Sequence, residues 1–324
     1  MTIRRLVVID SALARNNSRK RAFSLSASMF LNSVIREVSL NGIGLQRVPS
    51  RALSRIAFLS VLSLRGNSIN GVNRKAFTRL NDLTHLDLTS NRIKRVPASA
   101  IGRLHQLKVL LLCDNRIKEI RSLDFENLKK LQLLDVSHNP LTTVATDAFR
   151  SIADSLAYLS VAYSSRLAEA QPRHVELAVN ALTHLTVIDI SGTERPSLSE
   201  FIGNPVETLV AQFQNELHLH DLTRFPQLKF LDLHGCLQMV VPVHWMVPRV
   251  EQVDLSETNV SLDFIKAFPK LRRLYIENHN LNLGMNPLRQ VIDYVQYPKS
   301  IETLGLAGTQ LEVSKIPFWI WISI

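Results

Sequence analysis

The chain has 324 residues, 46% apolar and 20% charged, with only 11 Gly and 13 Pro, a composition that excludes collagen-like, low-complexity and wholly disordered chains. Its net charge of +10 is concentrated at the start, where residues 1–36 carry Arg4, Arg5, Arg15, Arg19, Lys20, Arg21 and Arg36 against Asp10 alone. No stretch reaches the ~18 apolar residues that a membrane helix requires, so no membrane span is expected.

The chain opens with "MTIRRLVVIDSALARNNSRKR". Its apolar patch is interrupted by Asp10 and flanked by basic residues on both sides, unlike a secretory signal. Residues 1–34 therefore read as a basic N-terminal helical segment or a divergent cap. From Ile35 a rhythm begins, with Ile35, Val38, Leu40, Ile43, Leu45 and Val48 at offsets that recur downstream. The stretch "LTHLDLTSN" places Leu83, Leu86, Leu88 and Asn91 at a spacing that fits neither a helix nor a simple strand. The same pattern returns at Leu59, Leu62, Leu64 and Asn67, at Leu107, Leu110, Leu112 and Asn115, and at Leu131, Leu134, Val136 and Asn139. The interval is 24 residues each time, inside the roughly 20 to 29 residue period of leucine-rich repeats. Residues 35–155 form this regular block.

Residues 156–324 continue as irregular repeats beginning near Leu156, Leu185, Val206, Leu228, Val250, Leu271 and Ile301, with the last unit incomplete. In this half, "QPRHVELAVNAL" (171–182) and "NPLRQVIDYV" (286–295) carry Pro172 and Pro287 near first-turn positions, followed by apolar residues at helical spacing. Helical return segments are expected there. The fold class is thus α/β: a leucine-rich repeat solenoid, or horseshoe, with a parallel β-sheet on the concave face and loops and short helices on the convex face.

Each repeat buries three inward apolar positions against its neighbours, worth about 1.5 to 3 kcal/mol per leucine. The Asn that ends each strand motif has both donors and an acceptor for backbone groups exposed by the sharp turn. Asn67, Asn91, Asn115 and Asn139 are expected to form a structural ladder, replaced later by Ser164, Thr193, Gln214, Cys236, Thr258, His279 and Thr309. On the return side, Phe77, Ile101, Phe125 and Phe149 should stack as an apolar spine.

Chemistry is sparse. The pairs His218 with His220 and His234 with Cys236 fall short of the three or four ligands of a zinc site. His234 reads as a surface strand residue and Cys236 as a ladder residue. A row of Asp87, Asp135, Asp189, Asp232 and Asp254 reads as solvated strand surface, and neither a phosphate loop nor a nucleophile elbow occurs. No catalytic, cofactor-binding or metal-binding residue is nominated, and no cofactor is expected. Cys113 and Cys236 lie five repeats apart in sequence, hence ~24 Å at about 4.8 Å per stacked strand, too far for a disulfide. Arg92, Lys94, Arg95, Arg116 and Lys118 should form a basic ridge on the ascending edge, but with no aromatic stacking platform beside it no specific nucleic-acid partner is expected. The candidate binding site is a concave cluster of Val109, Leu111, Leu133, Tyr158 and Tyr163, exposed apolar and aromatic residues suited to a protein partner.

Two resemblances follow from these motifs. The block 59–155, with "LTHLDLTSNRIKRVPASAIGRL" and "LQLLDVSHNPLTTVATDAFRSI", resembles the typical repeats of extracellular proteins such as Toll, Slit and chaoptin. "LTVIDISGTE" (185–194), "LKFLDLHGC" (228–236) and "IETLGLAGTQ" (301–310) resemble the leucine-rich region of the Zyg-eleven and Zer-one family of cullin-two ubiquitin ligase substrate receptors. "LVVIDSALARN" (6–16) is similar to that family's opening helix, with Ile9 where its box has a cysteine and Arg5 where it prefers leucine. This second resemblance implies a substrate-recognition subunit that contacts elongin C through Leu6, Ile9 and Leu13 and, with it, cullin-two. It also implies an intracellular location, in cytoplasm or nucleus. The first implies a fragment of a cell-surface receptor or adhesion protein, with Asn16 and Asn259 as glycan acceptors.

Overall fold

The computed structural model describes residues 5–7, 35–51, 53–164, 178–193, 198–199, 201, 205–242, 245–258, 262–277 and 300–305. They fall into two compact units, Met1–His184 and Leu185–Ile324. In the first, the strands Arg5–Val7, Glu37–Ser39, Val61–Ser63, His85–Asp87, Val109–Leu111, Leu133–Asp135 and Tyr158–Ser160 pair in parallel, each with the next in the chain. In the second, Val187–Asp189, Thr208–Val210, Phe230–Asp232, Gln252–Asp254, Arg273–Tyr275 and Thr303–Gly305 do the same.

Strands of only three residues suffice because side chains alternate across a sheet. The central residue points into the core and its two neighbours point out. Leu62, Leu86, Leu110 and Leu134 are these central residues, and with the flanking Leu64, Leu88, Leu112 and Val136 they are fully buried. The register aligns each with its counterpart, Leu86 with Leu62 and Leu110 with Leu86. The leucine spacing therefore encodes one inward column per repeat position.

After the strand, each repeat climbs an edge where short parallel pairs recur: Arg47–Val48 with Gly71–Val72, Glu119–Ile120 with Thr143–Val144, and Leu217–His218 with Met239–Val240. It then returns through turns, a short α-helix at Ala98–Ile101, and 3-10 helices at Arg150–Ile152, Leu219–Arg224 and Leu262–Ala267. Phe77, Ile101, Phe125 and Phe149 are buried beneath these returns, and the Phe125 and Phe149 rings stack at 6.1 Å. The second unit repeats the device with Phe201 against Phe225 at 5.5 Å, and within one of its returns Phe264 meets Phe268 edge-on at 4.9 Å. Of the two expected helical returns, residues 178–180 are helical, and 286–295 lies outside the described residues.

At the N-terminus, for which the sequence left a helical segment or a divergent cap open, Arg5–Val7 is a strand with Leu6 in register with Val38. An uncapped parallel edge offers a row of free N–H and C=O groups, and "LVVI" is rich in the β-branched residues that suit a strand. The Arg5 guanidinium also reaches Glu37 at 3.5 Å. Ile9 and Leu13 lie outside the described residues. Among the described residues, no helix is long and apolar enough to cross a membrane.

Candidate functional site

The turn that leaves each strand fixes which side chains are presented. Asn67 Oδ1 accepts the Leu45 N–H (3.0 Å), while Nδ2 donates to the carbonyls of Leu40, Leu64 and Arg65 at 2.8 to 3.3 Å. Asn91, Asn115 and Asn139 repeat the pattern, accepting from Ile69, Ile93 and Ile117 respectively. Each carboxamide thus ties its own turn to that of the preceding repeat. Thr193 and Thr258 donate to the carbonyls of Ile190 and Leu255, both at 2.7 Å. Cys236 fills the same slot: its thiol donates to the Ala211 carbonyl (3.0 Å) and accepts the Gln214 N–H (3.4 Å). The Ser164 hydroxyl is buried without a hydrogen-bond partner, being too short to span the gap that Asn fills.

The residue before each of these slots is left-handed: Gly66, Ser90, Asp114, His138, Tyr163, Gly192, Phe213, Gly235 and Glu257 have φ between 52° and 70°. That conformation aims its N–H at the next repeat, as in Ser90 to the Cys113 carbonyl (2.9 Å) and His138 to the Ala162 carbonyl (2.8 Å). At Gly235 a side chain is excluded twice over, by φ of +70° and by the Phe213 ring 2.4 Å from where a Cβ would stand.

The aspartate row has a structural task that the sequence reading missed. Asp87, Asp135, Asp189, Asp232 and Asp254 each accept, through Oδ1, the N–H two residues on, at 2.8 to 3.0 Å. They cap the turn, as Asp does when it bonds its own backbone. Burial pushes the Asp232 carboxyl above its usual range, opposed by hydrogen bonds from the His234 N–H and the Gln212 side chain. His234, expected on a strand, sits in the turn after Phe230–Asp232, because the strand ends at Asp232 where this cap begins. It packs edge-on against Phe213. Among the described residues no group of three or more His, Cys, Asp or Glu is placed to hold a metal ion.

On the open face of the first unit, Val109, Leu133 and Tyr158 are direct register partners on three adjacent strands, each half-buried. Leu111 stands in the second outward row, between Asp87 and Asp135. Tyr163 is not with them. The strand ends at Ser160, and Tyr163 occupies the left-handed turn position, its ring stacked on His138 at 4.4 Å. Tyr163 stands seven residues after Leu156, as His138 stands seven after Leu131, beyond the three residues that form the strand.

Both cysteines are free. Burial raises the thiol pKa of each, that of Cys236 to about 11.

The leucine rich repeat family model matches residues 33–93, 57–111 and 105–164. The fold is a leucine-rich repeat solenoid. A leucine-rich repeat protein of Leptospira interrogans is similar at 20% identity and TM-score 0.54, over 84% of this chain and 78% of that one. The crystal structure of the TLR13-ssRNA13 complex is similar at 23% identity and TM-score 0.51, over 73% of this chain and 38% of that one. The matched part of this chain thus spans well under half of that one. Comparison with curated proteins gives no significant match. At these identities the likeness carries the fold, and function has to be argued from the surface of this chain.

Proposed function

We propose that the chain is a non-enzymatic scaffold that binds another protein on the open face of its first unit, the concave face of the solenoid. The observation that supports this is the register of Val109, Leu133 and Tyr158, which lines up three half-buried apolar or aromatic side chains on adjacent strands with Leu111 beside them. An apolar and aromatic centre rimmed by the carboxylates of Asp87 and Asp135 has the make-up of an interface core. The test is capture from a cell lysate by the full chain and by the Leu133→Asp, Tyr158→Asp variant. Proteins retained by the first and lost by the second are expected; identical capture by both would set the reading aside.

The finer reading is a substrate-recognition subunit of a cullin-two RING ubiquitin ligase, inside the cell, with elongin C and cullin-two as partners. Its support is the resemblance of residues 185–194, 228–236 and 301–310 to the Zyg-eleven and Zer-one repeats, together with two free thiols, usual in a reducing compartment. The strand at Arg5–Val7 weighs against an adaptor helix that uses Leu6. Co-purification with elongin C and cullin-two, lost in Leu6→Asp, Leu13→Asp, is the expected outcome, and no capture by the unaltered chain overturns it. The competing reading, a fragment of an extracellular receptor, draws on the regular block, which the family model covers from residue 33 to 164. It requires a glycan on Asn259, visible as a mass shift after glycosidase treatment of protein from secreting cells.

A further inference from the structure

A grid of cations lies where the chain of the first unit leaves the ladder. Arg92 follows Asn91 and Arg116 follows Asn115, so the two hold equivalent places in successive repeats, and Lys94 and Lys118 do the same two residues on. The register is fixed by the Arg92 N–H on the Ile69 carbonyl (2.8 Å) and the Arg116 N–H on the Ile93 carbonyl (2.9 Å). All four side chains are exposed. Stacked repeats separate the rows by roughly 5 Å, and the two-residue step along an extended chain separates the columns by roughly 7 Å. The acids nearby do not neutralise the grid. Glu119 is engaged by Arg95 at 3.5 Å and by Arg121, and Asp114 is the remaining carboxylate on this stretch of edge.

The same edge carries a pair of stacked rings. His138 and Tyr163 take the left-handed turn position that Asp114 takes one repeat earlier, and their rings lie 4.4 Å apart at 18° with both residues exposed. They stand one and two repeats along from the Arg116 row, roughly 5 and 10 Å by strand spacing. Each stands seven residues after the first leucine of its repeat, Leu131 for His138 and Leu156 for Tyr163.

An acidic peptide or polysaccharide would use the cations alone. A polyphosphate with flat bases would use both features, which is the combination that single-strand binders present. We infer that this edge binds single-stranded nucleic acid without base-specific readout, its phosphates on Arg92, Lys94, Arg116 and Lys118 and a base continuing the His138–Tyr163 stack. This site is separate from the open-face strip and does not depend on it.

The test is fluorescence anisotropy of the full chain with a labelled oligouridylate across a salt series, with heparin as a second polyanion. In the Arg92→Ala, Lys94→Ala, Arg116→Ala, Lys118→Ala variant, oligouridylate affinity should fall by more than tenfold and the salt slope should shrink by roughly 3, since each phosphate contact in a single strand contributes about 0.7. In His138→Leu, Tyr163→Leu the affinity for oligouridylate should fall roughly tenfold with the slope unchanged, because stacking releases no counterions, while heparin binding stays as it was. Undiminished binding by the cation variant overturns the site. Undiminished binding by the ring variant overturns the nucleic-acid assignment and leaves a general polyanion edge. Circular dichroism verifies the fold of each variant, and His138→Leu alone provides the ring readout should the double variant misfold.

Discussion

At the scale of single residues, the turn after each strand is held by a few polar side chains whose loss would strand buried backbone groups. Asn91→Ala removes the acceptor of the Ile69 N–H and the donor to three carbonyls, all buried or nearly so. The expected cost is about 1 to 3 kcal/mol, read as a lower urea midpoint at unchanged slope. Cys236 gives a pH signature. Its folded pKa is raised from 9.0 to about 11, chiefly by burial. A raised thiol pKa leaves stability unaffected below the unfolded value and lowers it as pH climbs from about 9 to about 11. Cys236→Thr, which places there the residue type of Thr193 and Thr258, should lose that extra decline when urea midpoints of the two proteins are compared across this range. The ladder asparagines were legible in the sequence because their chemistry and their period point the same way. The capping role of the aspartates was not, since an exposed Asp on a strand and an Asp bonding its own backbone are written with the same letter. Tyr163 was misplaced for a related reason: periodic counting assigns a row to a residue, and the strand's end decides whether the row still exists.

At the scale of elements, the strands are too short to be stable by backbone pairing alone, and the returns contain little regular helix. What holds each repeat is a pair of apolar columns, leucines under the sheet and phenylalanines under the returns. Phe125→Ala should cost about 3 to 5 kcal/mol, because a buried ring stacked on Phe149 is replaced by a cavity. Leu123→Ala, two residues away but 65% exposed, should stay within about 0.5 kcal/mol of the parent in the same urea titration. The leucine columns follow directly from their spacing. The strand at Arg5–Val7 does not, because nothing in a short apolar patch before the first repeat distinguishes a helix from an added edge strand. The phenylalanine pairs of the second unit follow no single spacing: Phe201 and Phe225 are 24 residues apart across two repeats, and Phe264 and Phe268 four apart within one return.

At the scale of the whole molecule, the two units share a repeat but differ in the hydrogen bonds that bind one turn to the next. The first is tied by four asparagines, Asn67, Asn91, Asn115 and Asn139, each bridging to the repeat before it. In the second, the Gln214 side chain bridges to the Ile190 carbonyl at 2.7 Å, but Thr193 and Thr258 bond within their own turns, and Cys236 offers a weaker sulfur contact across repeats. In a one-dimensional array, stability is a sum of such neighbour terms. Amides of residues 59–139 should therefore exchange with deuterium at least about tenfold more slowly than those of residues 185–276, since each missing bond forfeits about 1 kcal/mol. Equal protection would show that core packing, and not the ladder, sets the opening energy. The left-handed position ahead of each slot has a broader consequence. It accepts Ser, Asp, His, Tyr, Phe and Glu at one left-handed φ, and at Ser90, Asp114, His138, Phe213 and Glu257 a main-chain bond to the next repeat holds it whatever the side chain. The array thereby carries interchangeable sockets, one per repeat, and shuffling those six residue types among them should alter what the rim attracts while the melting temperature hardly moves.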